Sequence, residues 1–115
     1  MTHLTTHILD AATGDPAAGV AVSLAHWKPG LHKSAIAEGV TDADGRLAIG
    51  PDLLDAGDYT LTFQTGQYFA ARGVPSFHPF VTVTFSVEVA DDGTSRHYHV
   101  PLLLSPFAYS TYRGS

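Results

Sequence analysis

Seven histidines stand among 115 residues, and imidazole is the side chain that takes up and returns a proton near neutral pH. Their spacing carries the first functional information. On extended backbone, residues two apart share a face. Leu4 and Ile8 mark an apolar face of the first segment, so His3, Thr5 and His7 are expected on the opposite one. Tyr98, Val100 and Leu102 mark the inward face of a late segment, which turns His97 and His99 outward. Two chemistries suit such histidines. His97 and His99 could ligate a metal with His7 as a third ligand, but no carboxylate joins them in sequence. Acid–base work is the better reading, because a neutral imidazole can activate a water for attack on a carbonyl. The bland alternative is a set of solvated histidines on an ordinary sheet face.

Carbonyl chemistry also needs a group that holds developing negative charge. Arg46 is the best placed of the six basic residues: it follows the tight turn Asp42-Ala43-Asp44-Gly45 at the start of a strand, where its planar fork can meet a carbonyl-rich ligand. A solvated arginine is the structural alternative. The turn resembles part of a calcium loop but lacks the remaining ligands and the closing glutamate, so calcium is discounted. Ser105, Ser110 and Ser115 have no Gly-x-Ser-x-Gly elbow around them. His26, His32 and His78 are expected in turn-like or irregular segments and are assigned no role.

Composition narrows the classes further. Eleven acidic against six basic residues give a net charge of −5, without any basic run, so nucleic acid and anionic membranes are poor partners. Cysteine is absent, which removes disulfide frameworks, thiolate metal sites and cysteine nucleophiles. The longest apolar stretch, Val100 to Leu104, is far short of the ~20 residues of a membrane span, and the N-terminal residues carry no basic-then-apolar leader. A cytoplasmic location is the default expectation. With 44% hydrophobic residues the chain has material for one core, and 1–115 is expected to form a single domain.

The elements that must position these side chains are strands. Tyr59, Leu61 and Phe63 alternate with polar residues, as do Val20, Val22 and Leu24, and Val81, Val83, Phe85, Val87 and Val89. Turn chemistry separates the runs at Lys28-Pro29-Gly30, Asp44-Gly45, Gly50-Pro51-Asp52 and Asp91-Asp92-Gly93. One segment, Gly66 to Gly73, is helix-compatible and closes at Gly73 ahead of Pro75. Seven or eight short strands are therefore expected to pack as an all-β sandwich of two antiparallel sheets with one short helix. Trp27, Phe69, Phe77, Phe80, Phe85 and Phe107 are expected in the core or at subunit contacts.

Read in order, four motifs carry a family resemblance: Thr6-His7-Ile8-Leu9-Asp10 with Gly14-Asp15-Pro16-Ala17, Thr41 to Arg46, His97-Tyr98-His99-Val100-Pro101-Leu102-Leu103-Leu104-Ser105-Pro106, and the closing Tyr112-Arg113-Gly114-Ser115. The chain resembles the transthyretin-like family over essentially its whole length, and within it the branch that hydrolyses 5-hydroxyisourate in urate degradation. The closing tetrapeptide is the most specific motif, since the hormone-carrying branch replaces it. His78 and Phe107-Ala108 are small departures from the hydrolase pattern.

The resemblance implies a transthyretin-like sandwich and a site of His7, Arg46, His99 and Tyr112, with Ser115 at its mouth. It implies water attack on the C6 carbonyl of 5-hydroxyisourate and cleavage of N1–C6, with no metal or organic cofactor. One of His7 and His99 would deprotonate the water while the other fixes its tautomer or returns the proton. Arg46 would bind the oxyanion and Tyr112 the ring. It further implies a homotetramer, a dimer of dimers whose outer faces enclose the sites. A carrier that uses the central channel for a small ligand is the alternative; its mark would be loss of the four polar residues, which are all present.

Overall fold

The computed structural model describes residues 2–30 and 35–114. His32, which takes no role, and Ser115, which the resemblance placed at the mouth of the site, lie outside the described residues. Among the described residues the strands are β1 (Leu4–Asp10), β2 (Asp15–Pro16), β3 (Ala21–His26), β4 (Ala37–Val40), β5 (Arg46–Ala48), β6 (Gly57–Phe63), β7 (Val81–Val87), β8 (Tyr98–Leu104) and β9 (Tyr109–Thr111). The one helix among the described residues, α1 (Thr65–Ala71), joins β6 to β7 and ends just before Gly73.

Two sheets face each other, as expected. One runs β2-β1-β8-β9 with β5 also paired to β1, and the other runs β4-β3-β6-β7. Their inner faces supply one cluster of buried side chains, among them Leu4, Ile8, Val22, Leu24, Tyr59, Leu61, Phe63, Val100 and Leu102. Period-two alternation is thus the pleat of a half-buried sheet. The sheets are not both antiparallel: β1 and β8 run parallel, with Leu4 opposite Tyr98 and Asp10 opposite Leu104. A parallel pair needs a long crossover, and here most of the chain lies between its two strands.

The aromatic residues divide. Phe69 is buried and Phe85 packs against the core, whereas Trp27, Phe77, Phe80 and Phe107 are exposed. His78 is held edge-on between Phe77 and Tyr109. Asp10, at the end of β1, is buried; its carboxylate accepts the Tyr68 hydroxyl at 2.9 Å and the backbone N–H of Ala12 at 3.0 Å. Burial, and then the hydrogen bond to Asp10, push the Tyr68 hydroxyl up to about 12.

Candidate active site

Strand register brings the candidate residues together. Directly opposed residues on neighbouring strands point to the same side of a sheet. His7 pairs with Arg46 and Thr5 with Ala48 across β1 and β5, while Thr5 pairs with His99 across β1 and β8. Thr5, His7, Arg46 and His99 therefore share the outer face, and His97, two residues before His99, joins them. The alternating burial of β1 agrees, with Leu4, Thr6, Ile8 and Asp10 inside.

The turn before β5 fixes where Arg46 begins. Asp42 accepts the backbone N–H groups of Asp44 at 2.9 Å and Arg46 at 3.0 Å. Gly45 has a φ of 73°, and its carbonyl accepts the Ile8 N–H at 2.8 Å. A β-carbon there would collide with the Ile8 carbonyl, so glycine is what lets the turn lie against β1. The Arg46 side chain is exposed, and no carboxylate among the described residues pairs with its guanidinium.

Each central imidazole has one nitrogen already engaged. His7 Nε2–H donates to the Asp44 carbonyl at 3.0 Å, which leaves Nδ1 as its lone pair. His99 Nδ1 lies 2.8 Å from Thr5 Oγ1, and His97 Nε2 lies 2.8 Å from the same oxygen. His99 Nε2 has no protein partner among the described residues. Burial, and then the charges of His7, His97 and Arg46, hold the His99 imidazole below its ordinary range. Thr5, Arg46, His97 and His99 line an open depression of about 580 Å³, walled by Val40, Leu47 and Ala48.

The remaining expectations meet the structure differently. His7 sits beside the depression rather than in its lining. Tyr112 is exposed and lines a neighbouring depression of about 330 Å³, which meets the first only at His99. The chain leaves β9 after Thr111 and returns along β8, where Gly114 N–H donates to the His99 carbonyl at 2.9 Å.

His3 is not on the outer face. It is 5% exposed, with Nδ1 accepting the Leu54 N–H at 2.8 Å and Nε2 donating to the Arg96 carbonyl at 2.9 Å. It precedes the first strand residue, so the pleat that places Thr5 and His7 does not govern it. Among the described residues no cluster of three His, Asp or Glu side chains converges to hold a metal; the ring nitrogens of His97 and His99 both face Thr5. Thr5 and His97 are the residues that sequence reasoning left without a role in acid–base chemistry. Their available signal was the shared outward phase.

Known proteins are similar to this chain in sequence and in fold. The 5-hydroxyisourate hydrolase of Caulobacter vibrioides is 49% identical over 118 residues, covering 100% of both chains. The solved structure of Klebsiella pneumoniae 5-hydroxyisourate hydrolase has 41% identity and a TM-score of 0.82, covering 100% of this chain and 94% of that one. Sea bream transthyretin in complex with thyroxine has 36% identity and a TM-score of 0.85, covering 97% and 94%. Both a hydrolase and a hormone binder thus share the scaffold, and fold alone does not separate them. Residues 4–114, which span both sheets and every described candidate residue, match the HIUase/transthyretin family, and the chain belongs to it.

Proposed function

We propose that this protein is a 5-hydroxyisourate hydrolase that opens the six-membered ring of its substrate to 2-oxo-4-hydroxy-4-carboxy-5-ureidoimidazoline. Full-length similarity to proteins of that name supports the reading. The observation that carries it is the register that sets His7, Arg46 and His99 on one face, each with a polar group unengaged by the described residues.

His99 is the general base: its depressed basicity keeps it neutral at pH 7, and Nε2 is free to take a proton from water. The hydroxide formed attacks C6. The Arg46 guanidinium, with no competing carboxylate among the described residues, binds the oxyanion of the tetrahedral intermediate. His7, anchored through Nε2–H on Asp44, offers Nδ1 to orient the water or a substrate N–H. Collapse breaks the C6–N1 bond, N1 takes the proton back from His99, and the new carboxylic acid ionises. Tyr112, which lines a depression beside His99, positions the ring, and Ser115 is assigned to the same role. Every step uses side chains and water.

A small ligand needs a concave, dry site, and an open sheet face is neither. The protein therefore works as a homotetramer, a dimer of dimers whose outer faces cover one another. Open sheet edges support this: β9 is exposed at all three residues, and β7 ends the other sheet. Light scattering checks the mass.

The decisive experiment follows the ultraviolet absorbance of 5-hydroxyisourate generated from urate by urate oxidase. Decay faster than the spontaneous rate, and abolished by His7→Ala, supports the hydrolase. A folded tetramer that does not accelerate decay would leave the carrier reading, which the likeness to thyroxine-bound transthyretin favours.

A further inference from the structure

The Thr5 hydroxyl stands between two imidazoles, 2.8 Å from His97 Nε2 and 2.8 Å from His99 Nδ1. A hydroxyl has one hydrogen to donate and lone pairs to accept with. When the two rings are neutral and both bonds are made, one ring nitrogen accepts the Thr5 hydrogen and the other donates its own N–H to Thr5 Oγ1. The tautomers of His97 and His99 are therefore opposite in their bonding to this oxygen.

Only one of the two arrangements suits a base at His99. If Thr5 donates to His99 Nδ1, the neutral ring carries its hydrogen on Nε2 and has no lone pair to offer the depression. If Thr5 donates to His97 Nε2, His99 must donate from Nδ1, and Nε2 is bare. Arg46 lines the same depression as His99, and a cation there favours a lone pair over an N–H on the edge it meets. His97 is exposed, so its remaining Nδ1–H is satisfied by solvent.

We infer that His97 is a positioning residue: by accepting the Thr5 hydrogen, it obliges the Thr5 oxygen to accept from His99 Nδ1–H and so holds His99 Nε2 as the free base. This rests on the hydrolase reading for its kinetic consequence, and on the bridge alone for its structural one. The logic is that of an acceptor fixing the tautomer of a catalytic histidine, here delivered through a hydroxyl. No proton leaves the site along the bridge; the bridge sets direction only.

The test compares wild type with His97→Phe, Thr5→Val and Thr5→Ser by nitrogen-15 NMR of the His99 ring and by turnover of 5-hydroxyisourate. Wild type is expected to show Nδ1–H on His99. His97→Phe, which keeps an aromatic ring but no acceptor, is expected to move that hydrogen to Nε2 and lower kcat by about 10²-fold with little change in KM. Thr5→Val does the same, and Thr5→Ser restores both readouts. A His97→Phe protein with wild-type kcat, or with His99 still protonated at Nδ1, overturns the inference. A wild type that is inactive overturns the hydrolase reading instead, and the ring-nitrogen signals of the same four folded proteins still decide the bridge.

Discussion

Gly114 lies against the His99 ring: its N–H bonds the His99 carbonyl at 2.9 Å, and a β-carbon at position 114 would stand 2.5 Å from His99 Cδ2. The glycine is needed for space rather than for its backbone angles. Gly114→Ala must displace the imidazole or the returning chain. We expect kcat to fall by at least tenfold while far-ultraviolet circular dichroism and thermal stability stay near wild type, because the residue is outside the core. Unchanged turnover would show that the ring tolerates the shift.

Removing the charged and basic groups should separate chemistry from folding. His7→Ala is expected to lower kcat/KM by about 10²–10⁴-fold and Arg46→Ala by about 10²–10³-fold. Neither side chain is in the buried cluster, so melting temperatures should move little. Stopped-flow absorbance gives the rates; normal turnover in either variant removes that residue from the mechanism.

Acid pH provides a sign. His99 must be neutral to act as a base, and burial together with His7, His97 and Arg46 lowers its pKa. The acid limb of kcat/KM should therefore lie below the ordinary imidazole value of ~6.5. In the window between the two values the unfolded chain binds more protons at this residue than the folded one, so its contribution to stability is lost as pH falls. Arg46→Ala removes one opposing charge and should move the limb upward in whatever activity remains. A wild-type limb at or above ~6.5 contradicts the assignment.

His3 contributes to folding rather than to turnover. It ties the start of β1 to Leu54 and to Arg96, one residue before His97. His3→Ala leaves the Leu54 N–H without its acceptor, at a cost of about 1–3 kcal/mol, to be read from urea unfolding. Its effect on kcat should be smaller than that of His7→Ala. A His3→Ala protein of wild-type stability would show that the clamp carries no net energy.

Metal removal is the remaining check. Since each proposed step uses side chains and water, dialysis against a strong chelator should leave kcat unchanged. Lost activity that a divalent metal restores would return His97 and His99 to the role of ligands.

Much of this was legible in the sequence because short-range alternation records which side of a strand meets the core. The phases of Tyr59, Leu61 and Phe63, and of Tyr98, Val100 and Leu102, are those of the structure. Residue types at the Asp42–Gly45 turn foretold the start of β5 at Arg46. Alternation says nothing of residues outside a strand, which is why His3 turned inward unannounced. Nor does it show partners across the sandwich, such as Tyr68 on α1 bonding Asp10.

The amino-acid sequence by itself determined the all-β architecture, the short helix, the outward phase of His7, His97 and His99, and the set of residues able to do acid–base chemistry. Tertiary structure decided how those residues meet. The parallel pairing of β1 with β8 sets Thr5 opposite His99, and Thr5 and His97, 92 positions apart, share one hydrogen bond. Register between distant strands is chosen by packing of the whole core, since a slip of one residue would turn every buried side chain to solvent. No local pattern contains that choice.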